Sequence, residues 1–158
     1  MSDFSFLNHF VVPNYDSKNN LDHLLFKIKQ GTLEQVESEL GFTLPLELRE
    51  LYVQVGFGFF WQNDNSSFDR LLSPLQVKQI TLKEDFYEYD PDLELYDDIY
   101  KGEKLLFFEV NEGVYLGIDK TDIKGKNAIY YFKNKIADSL EEFLKQFLDN
   151  PNLIKDLE

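Results

Sequence analysis

The sequence predicts an α+β fold in a single domain spanning residues 1–158. Apolar residues recur at helical spacing through the first third, strand-like runs separated by turn signals fill the back half, and one more amphipathic segment closes the chain. Helices first, a meander next and a helix last is not the alternating βαβ order of a parallel sheet. A chain of 158 residues with 43% hydrophobic side chains supports one well-packed core and is short for two. No linker, repeat or low-complexity tract divides it.

Residues Met1–Asp16 form a mixed entry segment in which Phe4, Phe6, Phe10 and Val11 cover an edge of the core. Ser17–Gln30 reads as a helix with Leu21, Leu24, Leu25 and Ile28 on one face, stopped by Gly31. Thr32 then caps a second helix while Gln35 reaches back to it. Leu33, Val36 and Leu40 share its inner face, and Gly41 supplies the positive φ that closes it. Pro45 opens a third helix at its first position and holds Leu44 extended. Leu48, Leu51, Tyr52 and Val55 form its apolar stripe, and Gly56 ends the run.

Phe57–Trp61 is an aromatic strand, and the polar residues from Gln62 to Ser67 make the turn after it. Arg70–Leu72 is a brief strand. Ser73, Pro74 and Gln76 spell a capping box that opens a short helix. Lys83–Asp98 is an irregular acidic stretch divided by Pro91, with a helical turn on either side. Lys104–Val110 and Val114–Asp119 flank Asn111-Glu112-Gly113, a hairpin signal, and Asn127–Phe132 adds a third strand. Ser139 caps a closing helix through Glu142, with Leu140, Phe143, Leu144, Phe147 and Leu148 facing inward until Asn150-Pro151.

The stretch from Thr32 to Trp61 carries a recognisable order: an acidic helix with Glu37 ending in Leu40-Gly41, the step Leu44-Pro45, an anchor helix with Leu51-Tyr52, then Gly56-Phe57-Gly58 turning into a strand. In this it resembles the SUKH superfamily, a mainly bacterial group that includes the fungal regulators of cell-wall glucan synthesis. Arg70–Val77 and Ile136–Leu144 are similar to the family as well, so the resemblance covers most of the chain. Many relatives carry Asn-Gly at the second helix stop, where this chain has Val55-Gly56. The resemblance implies a mostly antiparallel sheet with helices against one side. It also implies an immunity protein that binds and neutralises a toxin, often a nuclease, of a polymorphic secretion system. The alternative it offers is a regulatory protein-binding scaffold like the fungal relatives.

The formal charge is −13, from 29 acidic and 16 basic side chains. Such a surface repels phosphate backbones, which excludes the basic stripe of a nucleic-acid binder. It has an ordinary reading, solubility, and a functional one, the steering of a cationic partner. Aromatic residues reach 16%, with 15 Phe and 9 Tyr, so the interior is built on large rings. Cysteine is absent, which removes disulfides and thiolate catalysis and suits a reducing compartment. The first residues, MSDFSFLNHF, lack the basic start and apolar run of a secretory signal. No stretch approaches the roughly 20 apolar residues that span a bilayer. The expectation is a cytoplasmic protein, in which Asn65-Ser66-Ser67 is an ordinary polar loop.

Catalytic equipment is not visible. The histidines, His9 and His23, read as surface or edge residues, His23 beside the stripe of the first helix. Glu37 faces either a cleft between helix and sheet or a solvated, cap-bonded position, and we take the second. Asp90-Pro91-Asp92-Leu93-Glu94 begins like a calcium loop but has Leu95 where the turn glycine belongs and Lys101 where the closing Glu belongs. No metal and no cofactor is expected. Gly56-Phe57-Gly58 lets the backbone turn from helix into strand. Alternation puts Phe57, Phe59 and Trp61 on one face, read first as core and second as a partner-binding ring, with Trp61 the best placed for exposure.

The acidic stretch has the same two readings, a solvated connection or a contact surface of acids and tyrosines. The partner-binding residues expected from the second are Trp61, Asp90, Asp92, Glu94, Tyr96, Asp97 and Asp98. Their partner is a protein, in the first place a basic toxin domain, with no membrane insertion.

Overall fold

The computed structural model describes residues 1–13, 22–63 and 69–157, and among these seven strands and five α-helices alternate in blocks. The first half holds β1 (Leu24–Phe26), α1 (Thr32–Leu40), α2 (Leu46–Gln54), β2 (Phe57–Phe60), β3 (Asp69–Leu71) and α3 (Pro74–Leu82). The second holds α4 (Asp92–Tyr100), β4 (Lys104–Val110), β5 (Val114–Asp119), β6 (Ile129–Tyr131), β7 (Asn134–Ala137) and α5 (Leu140–Asp149). The strands pair antiparallel in sequence order, from β1 at one edge to β7 at the other. This is the α+β class that the order of elements predicted. Among the described residues no helix is long and apolar enough to cross a membrane.

Ser17–Gln30 is not a helix in its described part. Leu24, Leu25 and Phe26 form β1 instead, while Ser17 and Leu21 lie outside the described residues. The reason is tertiary. A side chain at Gly58 would put its Cβ 2.1 Å from the Leu24 carbonyl oxygen, and one at Gly56 would stand 1.8 Å from that of Phe26. These glycines, Gly56 at φ 134° and Gly58 at φ 151°, therefore admit a neighbouring strand, and the pairing of β1 with β2 overrides the helical spacing of the leucines. The turn expected around Asn65-Ser66-Ser67 also lies outside the described residues.

The two motif helices form with small shifts. Gly31, at φ 87°, is the residue before α1 and makes no side-chain cap, so Thr32 is helical and the box with Gln35 does not form. Pro45 is one position further out than predicted, immediately before α2. Gly41 closes α1 at φ 84°, as its position required. Leu33, Val36, Leu40, Leu48, Leu51, Tyr52 and Val55 are all buried. The capping box of α3 is complete, with the Gln76 amide donating to Ser73 Oγ at 3.2 Å and the Ser73 amide to Gln76 Oε1 at 3.0 Å. The third strand of the back half is shorter than read, and β7 follows it through Phe132 at φ 51°.

Helices cover both faces of the sheet centre rather than one. In β5, Leu116 pairs with Phe108, whose ring meets Phe143 and Phe147 of α5 at 5.7 Å. The next residue, Gly117, points the other way, and a Cβ there would stand 2.9 Å from the Tyr100 ring of α4. Residues Leu105 to Val110 of β4 are buried without alternation, so this strand requires an apolar layer on each side.

Candidate functional site

The acidic stretch from Glu84 becomes two elements. A 3-10 turn at Asp85–Tyr87 turns Tyr87 inward and leaves Phe86 and Tyr89 outside, with 84% and 87% of their surface exposed. The Asp92 amide donates to Asp90 Oδ1 at 3.0 Å, and Pro91 then leads directly into α4. Asp92 and Glu94 occupy the first turn of α4, where negative charge suits the helix dipole. Asp97 and Asp98 lie toward its other end, where the dipole opposes them, and no basic residue occupies the last turn.

Leu93, Tyr96 and Tyr100 form the buried face of α4, and Asp92, Glu94, Asp97 and Asp98 form its exposed face. Tyr96 is thus placed inside. Its hydroxyl accepts the Tyr115 amide at 2.8 Å and its ring stacks on Phe132 at 5.7 Å. Asp97 is ion-paired with Lys83. Among the described residues no ion pair holds Asp90, Asp92, Glu94 or Asp98.

Between the 3-10 turn, the start of α4 and the β4–β5 hairpin lies an open groove of about 790 Å³. Phe86 and Tyr89 line it together with Asp85, Asp90, Asp92 and Glu112. On its floor Arg70 Nε donates to Glu109 Oε1 at 2.7 Å, and Tyr115 lies beside them. Burial first, and then the charge of Glu109, pushes the Tyr115 phenol well above its ordinary pKa, so it remains neutral. A groove with acids on its walls and two exposed rings at its mouth is complementary to cationic side chains with apolar stems.

Trp61 is elsewhere. At φ 52° it ends β2, its amide donates to His23 Nδ1 at 3.0 Å, and its indole N–H donates to the Phe147 carbonyl of α5 at 3.0 Å. It is half-buried on the α5 side of the sheet, across from α4. The alternation in β2 also runs opposite to the core reading, since Gly58 and Phe60 are buried while Phe57 and Phe59 are half-buried. His23 is no surface residue. It is 3% exposed, enclosed by Phe10, Phe60 and Trp61, and desolvation lowers its pKa to about 4.

Glu37 braces the two motif helices. Its Oε2 accepts the Leu44 amide at 2.7 Å and its Oε1 pairs with Arg49 Nε at 3.1 Å. The carboxylate thus holds the Leu44-Pro45 step from outside the helix, and no side chain caps α2 itself. Among the described residues no group of three or more His, Asp or Glu is placed to hold a metal ion.

Sequence reasoning missed Phe86 and Tyr89 as the exposed rings and chose Tyr96. The signal was present: Leu93, Tyr96 and Tyr100 share helical spacing after Pro91, which assigns Tyr96 to the buried face. It also missed Glu47, a fully buried acid at the start of α2.

Residues 27–146 match the model of the SMI1 / KNR4 family (SUKH-1). The chain belongs to this family. Its SUKH-1 match spans the motif helices, strands β2 to β7 and most of α5. The chain is also 36% identical over 140 residues to the immunity protein YxxD of Bacillus subtilis strain 168, an alignment that covers 89% of this chain and 93% of that relative. No solved structure matches it significantly.

Proposed function

We propose that this SUKH-1 protein is an immunity protein that binds a cognate toxin stoichiometrically and neutralises it without chemistry of its own. The observation that carries the reading is the likeness to an immunity protein along almost the whole of both chains. The acidic exposed face of α4 and the groove beside it support a basic toxin domain as the partner, and nuclease toxins are basic because they bind phosphate. Blocking such a domain requires occlusion, for which two exposed rings amid carboxylates are suited. The protein acts in the cytoplasm of the cell it protects. The test is co-expression with candidate toxin domains from the same genome, followed by co-purification through high and low salt. A complex of defined stoichiometry and a surviving host support the reading. Candidates that all stay free and lethal overturn it.

A further inference from the structure

A second groove adjoins the acidic one. Its lining is mostly apolar, with Phe26, Phe57, Phe59 and Leu71, and its volume is about 300 Å³. Arg70 lines both grooves, so they meet over its side chain. The sheet register explains the continuity. Phe59, Arg70, Glu109 and Tyr115 are cross-strand partners in succession from β2 to β5, and partners so paired share one face of the sheet. Adjacent strands lie about 4.8 Å apart, so the row covers about 10 Å from Phe59 to Glu109 and about 14 Å from Phe59 to Tyr115.

The two ends differ in what they accept. The apolar end presents half-buried rings, Phe26 and Phe57 at 5.9 Å from each other. The acidic end presents four carboxylates, of Asp85, Asp90, Asp92 and Glu112, beyond the ion pair that Arg70 makes with Glu109. The Arg70–Glu109 pair at the junction offsets its own charges and leaves the unbalanced carboxylates at the far end, which gives the surface a direction. A basic group is driven to the far end, under Phe86 and Tyr89, while an apolar group is free to enter the near end.

We infer that the two grooves act as one docking surface for a segment of a protein partner that carries an apolar side chain and a basic side chain about two helical turns apart. Two turns of helix advance about 11 Å, close to the roughly 10 Å from Phe59 to Glu109 in the row. Charge complementarity selects this occupant over a second copy of the chain, which carries the same net charge of −13. The inference rests on the immunity reading only for the name of the partner; the chemistry of the segment follows from the groove.

The test uses the full chain and a labelled alanine-based helical peptide bearing one leucine and one arginine two turns apart, with versions lacking either. The complete peptide binds about tenfold more tightly than each truncated version. Tyr89→Ala and Asp92→Lys, both at exposed positions, erase the gain from arginine, and Phe57→Ala erases the gain from leucine. Far-UV circular dichroism checks that each variant is folded, and should Phe57→Ala fail to fold, the two exposed variants decide the matter. Asp138→Lys, at the end of β7, leaves all three affinities unchanged. Equal binding of the three peptides, or an equal loss in Asp138→Lys and Asp92→Lys, overturns the inference. Full neutralisation by the groove variants of a toxin that the wild type neutralises overturns it too, yet leaves the immunity reading standing. Peptide discrimination by a chain that neutralises none of the candidate toxins does the reverse.

Discussion

Glu47 and Asn127, 80 residues apart, exchange hydrogen bonds in both directions: the Asn127 amide donates to Glu47 Oε1 at 2.6 Å, and the Glu47 amide donates to Asn127 Oδ1 at 3.0 Å. The same carboxylate accepts the Leu140 amide at 2.9 Å and the Ser2 hydroxyl at 2.7 Å. One buried acid therefore fastens the N-terminus, the start of α2, the loop before β6 and the first turn of α5. The free amides at the head of α5 favour a negative charge there. Replacing Glu47 by Gln puts an amide donor among backbone donors. It is expected to cost about 3 kcal/mol, read from the urea midpoint.

Gly58→Ala tests why β1 is a strand. The added Cβ would meet the Leu24 carbonyl oxygen at 2.1 Å, against backbone that has no room to yield. A loss of about 3 kcal/mol or more is expected, with hydrogen-exchange protection lost first at Leu24–Phe26.

His23 makes folding sensitive to acid. Its folded pKa of about 4 lies below the unfolded value of 6.5, so the unfolded chain binds more protons between them. Stability from this group is whole above the unfolded value and declines as pH falls toward 4, by at most about 1.4 kcal/mol per pH unit. Urea midpoints for the wild type and His23→Phe isolate it, because the variant lacks this part of the slope. A His23 resonance titrating near its ordinary value would contradict the burial argument.

Charge reversal on the exposed face of α4 tests steering. With Asp92, Glu94, Asp97 and Asp98 changed to Lys, association with the toxin domain is expected to slow about tenfold or more at low salt, and its salt dependence to flatten. Stopped-flow rates at several ionic strengths measure this. An unchanged rate removes α4 from the interface.

What the sequence disclosed and what it hid divide along one physical line. Features decided within a few residues were legible: the Ser73–Gln76 box, the Gly41 stop, the turn at Asn111-Glu112-Gly113, the stripe of α5. Features decided by distant partners were not. β1 owes its strand form to the two glycines of β2, and Glu47 looks like an ordinary acid until α5 and Asn127 are brought to it. Of the candidate surface, Asp90, Asp92, Glu94, Asp97 and Asp98 could be read as solvated acids. Tyr96 and Trp61 were harder, because a ring beside polar neighbours faces in or out according to helix phase and backbone angle. The exposed rings, Phe86 and Tyr89, depend on a single 3-10 turn that no spacing announces.

The most direct measurement is a titration of toxin activity by the purified protein. The account predicts a straight decline that reaches zero at one equivalent, with the toxin recovered intact and active after dissociation. Loss of activity at a small fraction of an equivalent, or a toxin recovered chemically altered, would contradict it.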